Sequence, residues 1–98
     1  MRLRLREEAL GDLDSIYAWY IERNPAVART IIARVRERLD HLETFPEIGE
    51  QAAGRRERIL LITGTPLVAV YRLDADLDLI DVLSVVDGRR HPRERFRP

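Results

Sequence analysis

Tyr20-Ile21-Glu22-Arg23-Asn24-Pro25-Ala26-Val27-Ala28, residues 20–28, is the stretch on which the fold turns. Asparagine is favoured just before a helix, because its side-chain oxygen accepts a backbone N–H that has no partner within the first turn. Proline is favoured at the first helical position, where its missing N–H is not needed. Asn24-Pro25 therefore ends one helix and begins another. Upstream, Ala9, Leu10, Leu13, Ile16, Tyr17, Tyr20 and Ile21 recur at the i, i+3, i+4, i+7 spacing of an amphipathic helix, which reads Tyr17 and Tyr20 as core. Downstream, Ala28, Ile31, Ile32, Val35, Leu39 and Leu42 form a second apolar stripe. Two such helices with so short a connection form an antiparallel hairpin.

Outward from the hairpin the periodicity changes. Residues Arg2–Arg6 alternate strictly, with Leu3 and Leu5 on one side and three arginines on the other, which predicts a half-buried strand. Phe45-Pro46 stops the second helix, and the segment through Gly54 reads as a loop. Three stretches rich in Val, Ile and Leu follow, at Arg58–Ile62, Leu67–Leu73 and Leu77–Val86. Thr63-Gly64-Thr65-Pro66 and Asp74-Ala75-Asp76 separate them, so the three read as a meander of hairpins. In the last stretch Asp78, Asp81 and Ser84 fall out of phase, as at a bulge or a sheet edge. Gly88 is expected in a turn with positive φ. The predicted class is α+β, ordered β-α-α-β-β-β, with the helical hairpin on a mainly antiparallel four-stranded sheet.

Composition narrows the function. The 98 residues carry 17 basic and 17 acidic groups and no cysteine. That length fits one domain, residues 1–98, and the missing cysteine excludes disulfides, a thiolate nucleophile and a Cys-based zinc site. His41 and His91 lack metal-ligand spacing, so neither metal nor cofactor is expected. The longest apolar runs fall far short of the roughly 20 residues of a membrane helix, and the N-terminus has no signal-peptide core. A cytoplasmic protein with no membrane partner is the expectation. Zero formal charge argues against bulk nucleic-acid binding. Yet residues 89–98 hold five arginines and one glutamate, so the positive charge is local. Every basic residue is arginine, which forks carboxylate and phosphate but stays charged and transfers no proton at neutral pH.

Six segments carry a resemblance in the right order. They are Gly11-Asp12-Leu13-Asp14-Ser15-Ile16, Tyr20-Ile21-Glu22-Arg23-Asn24-Pro25, and Leu42-Glu43-Thr44-Phe45-Pro46-Glu47-Ile48-Gly49. Then come Gly54-Arg55-Arg56-Glu57-Arg58, Pro66-Leu67-Val68-Ala69-Val70-Tyr71-Arg72, and Val85-Val86-Asp87-Gly88-Arg89-Arg90. Together they resemble the RelE/ParE superfamily of bacterial toxins from type II toxin–antitoxin systems, closer to the ParE side. The resemblance implies a small toxin neutralised by a cognate antitoxin. ParE-like members inhibit DNA gyrase; RelE-like members are ribosome-dependent mRNA endonucleases. Cleavage of RNA by its 2′-OH needs a general base, a general acid and charge-stabilising cations. This chain has no lysine and no tyrosine after Tyr71, and Val68 stands where such nucleases carry an arginine. A gyrase inhibitor without catalytic residues is therefore the leading expectation, and the endonuclease the alternative.

The candidate toxin-active surface is Arg72, Arg89, Arg90 and Arg93, a cationic patch for an anionic partner. The outward stripe Arg2, Arg4, Arg6 extends it or is simply a solvated strand face. Arg72 otherwise pairs with Asp74, Asp78 or Asp81 across a hairpin. Candidate antitoxin-binding residues are Arg55, Arg56 and Arg58, with Trp19 as an aromatic anchor or a rim residue of the hairpin. Direct nucleic-acid binding is expected only through the antitoxin complex.

Overall fold

Asn24 closes one helix and opens the next. Its backbone N–H donates to the Tyr20 carbonyl at 2.7 Å, and its Oδ1 accepts from the Val27 N–H at 3.3 Å. In the computed structural model, which describes residues 1–51 and 53–89, α1 spans Glu7–Arg23 and α2 spans Pro25–Thr44. Before them lies β1 (Arg2–Leu5); after them come β2 (Glu50–Gln51), β3 (Arg58–Leu61), β4 (Leu67–Asp74) and β5 (Leu79–Asp87).

The strands form one sheet in the order β1-β5-β4-β3-β2. β1 runs parallel to β5, and every other pair is antiparallel. Five strands stand where the sequence suggests four, because Glu50–Gln51, inside the expected loop, pairs with Arg58 and Ile59. So short a strand leaves no periodicity to read.

The out-of-phase letters of β5 have their cause in a bulge. The register passes from Val70↔Ser84 to Tyr71↔Val82, so Leu83 has no opposite number. Ile80, Val82 and Val85 thereby share the face toward the helices, while Asp81, Ser84 and Val86 share the other. Beside the bulge, the Val85 N–H donates to the Asp12 carboxylate of α1 at 2.9 Å, which ties helix to sheet.

Both helices lie on one face. Ala9 of α1 and Ile31, Val35, Leu39 and Leu42 of α2 pack on Leu60, Ile62, Leu67, Ala69, Tyr71, Ile80, Val82 and Val85. Leu3, Leu5, Leu13, Ile16 and Tyr20 flank that core. Full burial of each aliphatic side chain contributes about 1.5–3 kcal/mol. Tyr17 departs from expectation: it is 39% exposed, and so is Leu10 in large part. The face of α1 toward the sheet is the narrower line Ala9, Leu13, Ile16 and Tyr20, and Leu10 and Tyr17 lie one step round from it. Gly88 also departs from expectation, since positive φ occurs at Gly54, Gly64 and Asp78 instead. Its need is close approach: a Cβ there would meet the Pro66 carbonyl and Val68 at 3.3 Å.

One buried phenol fixes the chain after α2. The Tyr71 hydroxyl donates to the Pro46 carbonyl at 2.7 Å and accepts from the Gly49 N–H at 2.9 Å. Burial pushes its pKa above the ordinary 10.0, against the opposing effect of the Gly49 hydrogen bond. Arg58 adds a second tie, donating to the carbonyls of Glu47 and Gly49. Gly49 has no room for a side chain, because a Cβ would sit 2.6 Å from the Tyr71 ring edge and hydroxyl.

Tyr71→Phe leaves the Gly49 N–H without its partner and is expected to lower stability by about 1–3 kcal/mol in urea unfolding. Gly49→Ala overpacks the same point and is expected to lower it by about 1–3 kcal/mol. Equal stability of either variant to the parent chain would remove this clamp from the account.

Candidate interaction surface

With the helices on one side, strand alternation fixes which side chains the opposite face of the sheet carries. Arg2, Arg4 and Arg6 come from β1, Asp81, Ser84 and Val86 from β5, Val68, Val70 and Arg72 from β4, and Ile59 and Leu61 from β3. Register arranges these in rows. Arg4, Asp81 and Arg72 lie side by side across three strands. Further along, Ser84, Val70 and Ile59 make a second row, and Val86, Val68 and Leu61 a third. One half of the face is thus charged and the other apolar. Leu61 is 56% exposed, whereas Val68 and Val70 are buried. Ile59, Leu61, Val68, Gly88 and Arg89 line a shallow depression at the apolar end.

Asp81 is the organising group of the charged half. It is only 4% exposed and is the buried charged residue of the described chain. Arg6 forks it, with Nε at 3.0 and 3.1 Å from the two oxygens and Nη2 at 2.8 Å. Arg4 Nη2 lies 3.3 Å away and Arg72 Nη2 4.0 Å away. The carboxyl is held below its usual range, chiefly by the Arg6 hydrogen bond, with burial opposing and Arg4 adding to the effect. Of the three aspartates open to Arg72 from sequence, the structure therefore selects Asp81.

Of the remaining candidates the structure brings only Arg89 and Trp19 together, among the described residues. Arg89 lies just past β5 and forks Asp87, with Nη2 2.9 Å from Oδ2. Arg90 and Arg93 fall outside the described residues. Arg58 spends its guanidinium on the backbone carbonyls of Glu47 and Gly49 and on Gln51. Arg55 and Arg56 are exposed at the loop before β3. Trp19, on α1, is 42% exposed and lines a cavity together with Tyr20, Leu67, Asp87 and Arg89. Arg23 stacks 3.8 Å above its ring, and Tyr20 meets it edge-on. Arg72 lies on the sheet face away from the helices, and Arg89 stands between the depression at the end of that face and the cavity it shares with Trp19.

The arrangement offers guanidinium groups, a buried carboxylate and aliphatic side chains. Among the described residues no cluster of His, Cys, Asp or Glu has metal-binding geometry, and no helix is long and apolar enough to cross a membrane. The family model for the ParE toxin of the type II toxin–antitoxin system parDE matches residues 3–92. The chain belongs to the ParE toxin family. A curated protein of Sinorhizobium fredii (strain NBRC 101917 / NGR234), carried under the name of a candidate toxin, Y4kP, is 28% identical over 82 residues. That alignment covers 84% of this chain and 85% of the relative. Among solved structures, the chromosomal ParDE TA system from P. aeruginosa contains a chain of the same fold, with a TM-score of 0.76 at 23% identity. The match covers 89% of this chain and 95% of the other.

Reading the sequence of this ParE-family toxin alone does not single out Asp81 as the hub of the surface. The signal was present in the strict Arg2, Arg4, Arg6 alternation and in an aspartate out of phase within a strand. Missing was the parallel pairing of β1 with β5, which places Arg4 directly opposite Asp81.

Because the folded carboxyl titrates below its unfolded value of about 3.8, Asp81 contributes stability that is present above that value. The contribution disappears as pH falls through the lowered value. Asp81→Asn is expected to be about 1–3 kcal/mol less stable at pH 7, with the gap closing below pH about 4. Urea unfolding of both proteins from pH 7 to pH 2 measures it, and a gap constant over that range would contradict the assignment.

Proposed function

We propose that this toxin inhibits DNA gyrase and is kept silent by a cognate antitoxin encoded beside it. The observation that carries the reading is the ParE family match over residues 3–92, since gyrase is the target that the resemblance to ParE implies. The partnership with an antitoxin is supported by the family's description and by the ParDE system to which the fold is similar. The chemistry of the sheet face away from the helices agrees with a surface that binds. Its cations are arginines, which hold an anionic partner by planar, paired hydrogen bonds and exchange no proton near neutrality. Gyrase and its DNA place the toxin in the cytoplasm.

In this reading Arg72 and Arg89 belong to the surface presented to the target, and Arg90 and Arg93 are assigned the same role. Arg55, Arg56 and Trp19 are exposed, and the reading assigns them to the antitoxin. Arg58, committed to the 47–49 backbone, acts there by holding the loop in place. DNA is reached through the antitoxin complex, in keeping with the chain's zero formal charge.

Expression of the toxin with and without the neighbouring antitoxin, scored for growth, gyrase supercoiling and cleavage of translated mRNA, tests the proposal. Growth arrest with loss of supercoiling, reversed by the antitoxin, is expected. Cuts within translated mRNA with supercoiling intact would assign the chain to the endonucleases instead. The triple variant Arg89→Ala, Arg90→Ala, Arg93→Ala is expected to lose toxicity while its circular dichroism stays that of the parent. Full toxicity of that variant would remove the C-terminal arginines from the active surface.

A further inference from the structure

The outer side of α2 carries charges that the fold does not use. Arg29, Ala33, Arg36 and Asp40 recur at i, i+4, i+7 and i+11, each interval close to a whole number of helical turns, so they lie in one narrow stripe. All four are exposed. Among the described residues, no salt bridge or hydrogen bond takes in the side chain of Arg29, Arg36 or Asp40, although Arg36 and Asp40 stand four residues apart on one helix. Arg6, Arg38 and Arg58 differ in this respect, since each is committed to a carboxylate or a carbonyl. Beside the stripe, Tyr17 of α1 lines a groove between the helices with Ile32, Ala33 and Arg36, and it remains 39% exposed.

The order of the stripe is complementary to itself. Let a second α2 lie antiparallel across the first, with the two-fold axis passing between residues 34 and 35. Arg29 then faces Asp40 of the second copy, Ala33 faces Arg36, and symmetry repeats both contacts. One register thus satisfies all four positions. A parallel arrangement would instead set Arg29 against Arg29 and Asp40 against Asp40. The two Arg–Asp contacts lie about 16 Å apart along the helix, one on either side of the axis. At the centre the small Ala33 side chain admits the Arg36 stem of the other copy, at the 8–10 Å separation typical of packed helices. Tyr17 and Ile32 of both copies add the apolar part of the contact.

We propose that the outer face of the helical hairpin is the seat of a second copy of this chain, joined by the antiparallel α2 register Arg29–Asp40. Two crossing helices with a flanking tyrosine make an interface at the small end of the specific range, below about 1,200 Å². The dimer is therefore reversible, forms at micromolar concentration or above, and weakens with salt. Because the arginine row of Arg4 and Arg72 lies on the sheet face away from the helices, the dimer carries one such row on each outer side. It is thus bivalent toward whatever that row binds, and two linked sites hold a repeated partner more tightly than one.

Sedimentation equilibrium of the full-length chain, from micromolar to near-millimolar concentration at low and high salt, tests the proposal. A monomer–dimer equilibrium that weakens with salt is expected. Arg29→Asp alone and Asp40→Arg alone each place like charges at both contacts, and each is expected to weaken association about 10-fold or more. The double variant Arg29→Asp, Asp40→Arg is expected to regain it. An equimolar mixture of the two single variants is expected to regain it as well, because each then supplies the charge that the other lacks. Leu61→Ser, on the far side of the sheet, is expected to dimerise like the parent. Circular dichroism reports that every variant is folded.

A parent chain monomeric at every concentration would overturn the proposal, and loss of antitoxin binding in Arg29→Asp would then give the face to the antitoxin. A dimer lost in Leu61→Ser and kept in both charge reversals would overturn it by moving the contact to the sheet. Single variants that weaken association without recovery in the double variant or the mixture would overturn the register.

Discussion

β5 is held between a parallel neighbour and an antiparallel one, and the rest of the molecule is arranged around that constraint. A strand hydrogen-bonded on both edges and covered by helices on one face can carry a charge only if its neighbours neutralise it. Asp81 meets that condition through Arg4 on β1 and Arg72 on β4, with Arg6 completing the ring. The bulge at Leu83 then turns Val85 toward the helices, where Asp12 takes its backbone N–H. One strand thus links the core, the helix pair and the arginine row.

Much of this was legible in the letters, and the reasons differ by element. Asn24-Pro25 announces its break because cap and proline chemistry are local, and the structure repeats it hydrogen bond for hydrogen bond. The alternating Arg2–Leu5 strand follows from periodicity, and the three aliphatic strands from their composition and the turn residues between them. Tyr17 was misjudged because a list of apolar positions is wider than the face that packs. Glu50–Gln51 was invisible because two polar residues have no period. The Asp81 cluster was half visible: its members could be named, but their meeting depends on strand order, a long-range property. Arg89 beside Asp87 shows the reverse case, where a residue assigned to a cationic binding patch is also paired within its own turn.

The all-arginine composition acquires a structural sense from these placements. Arg58 reaches two backbone carbonyls, Arg6 forks a carboxylate, Arg23 caps a carbonyl while lying over an indole, and Arg38 reaches the Leu61 carbonyl. Each uses a planar group with several donors in fixed directions, which a lysine ammonium does not provide. The guanidiniums brace loops and strand ends as well as furnishing surface charge. In a chain this small, that bracing supplements a single modest core.

The parallel alliance of β1 with β5 also sets an order of events during synthesis. Arg4 and Asp81 are 77 residues apart along the chain. While the polypeptide leaves the ribosome, α1 and α2 emerge long before there is a sheet for their apolar stripes to cover. β1 has no partner until β5 is out, and contacts so distant in sequence form late. The arginine row, the occluded carboxylate and the core under the helices are therefore completed together in one final closure. A half-made chain therefore has neither the arginine row nor the core beneath the helices.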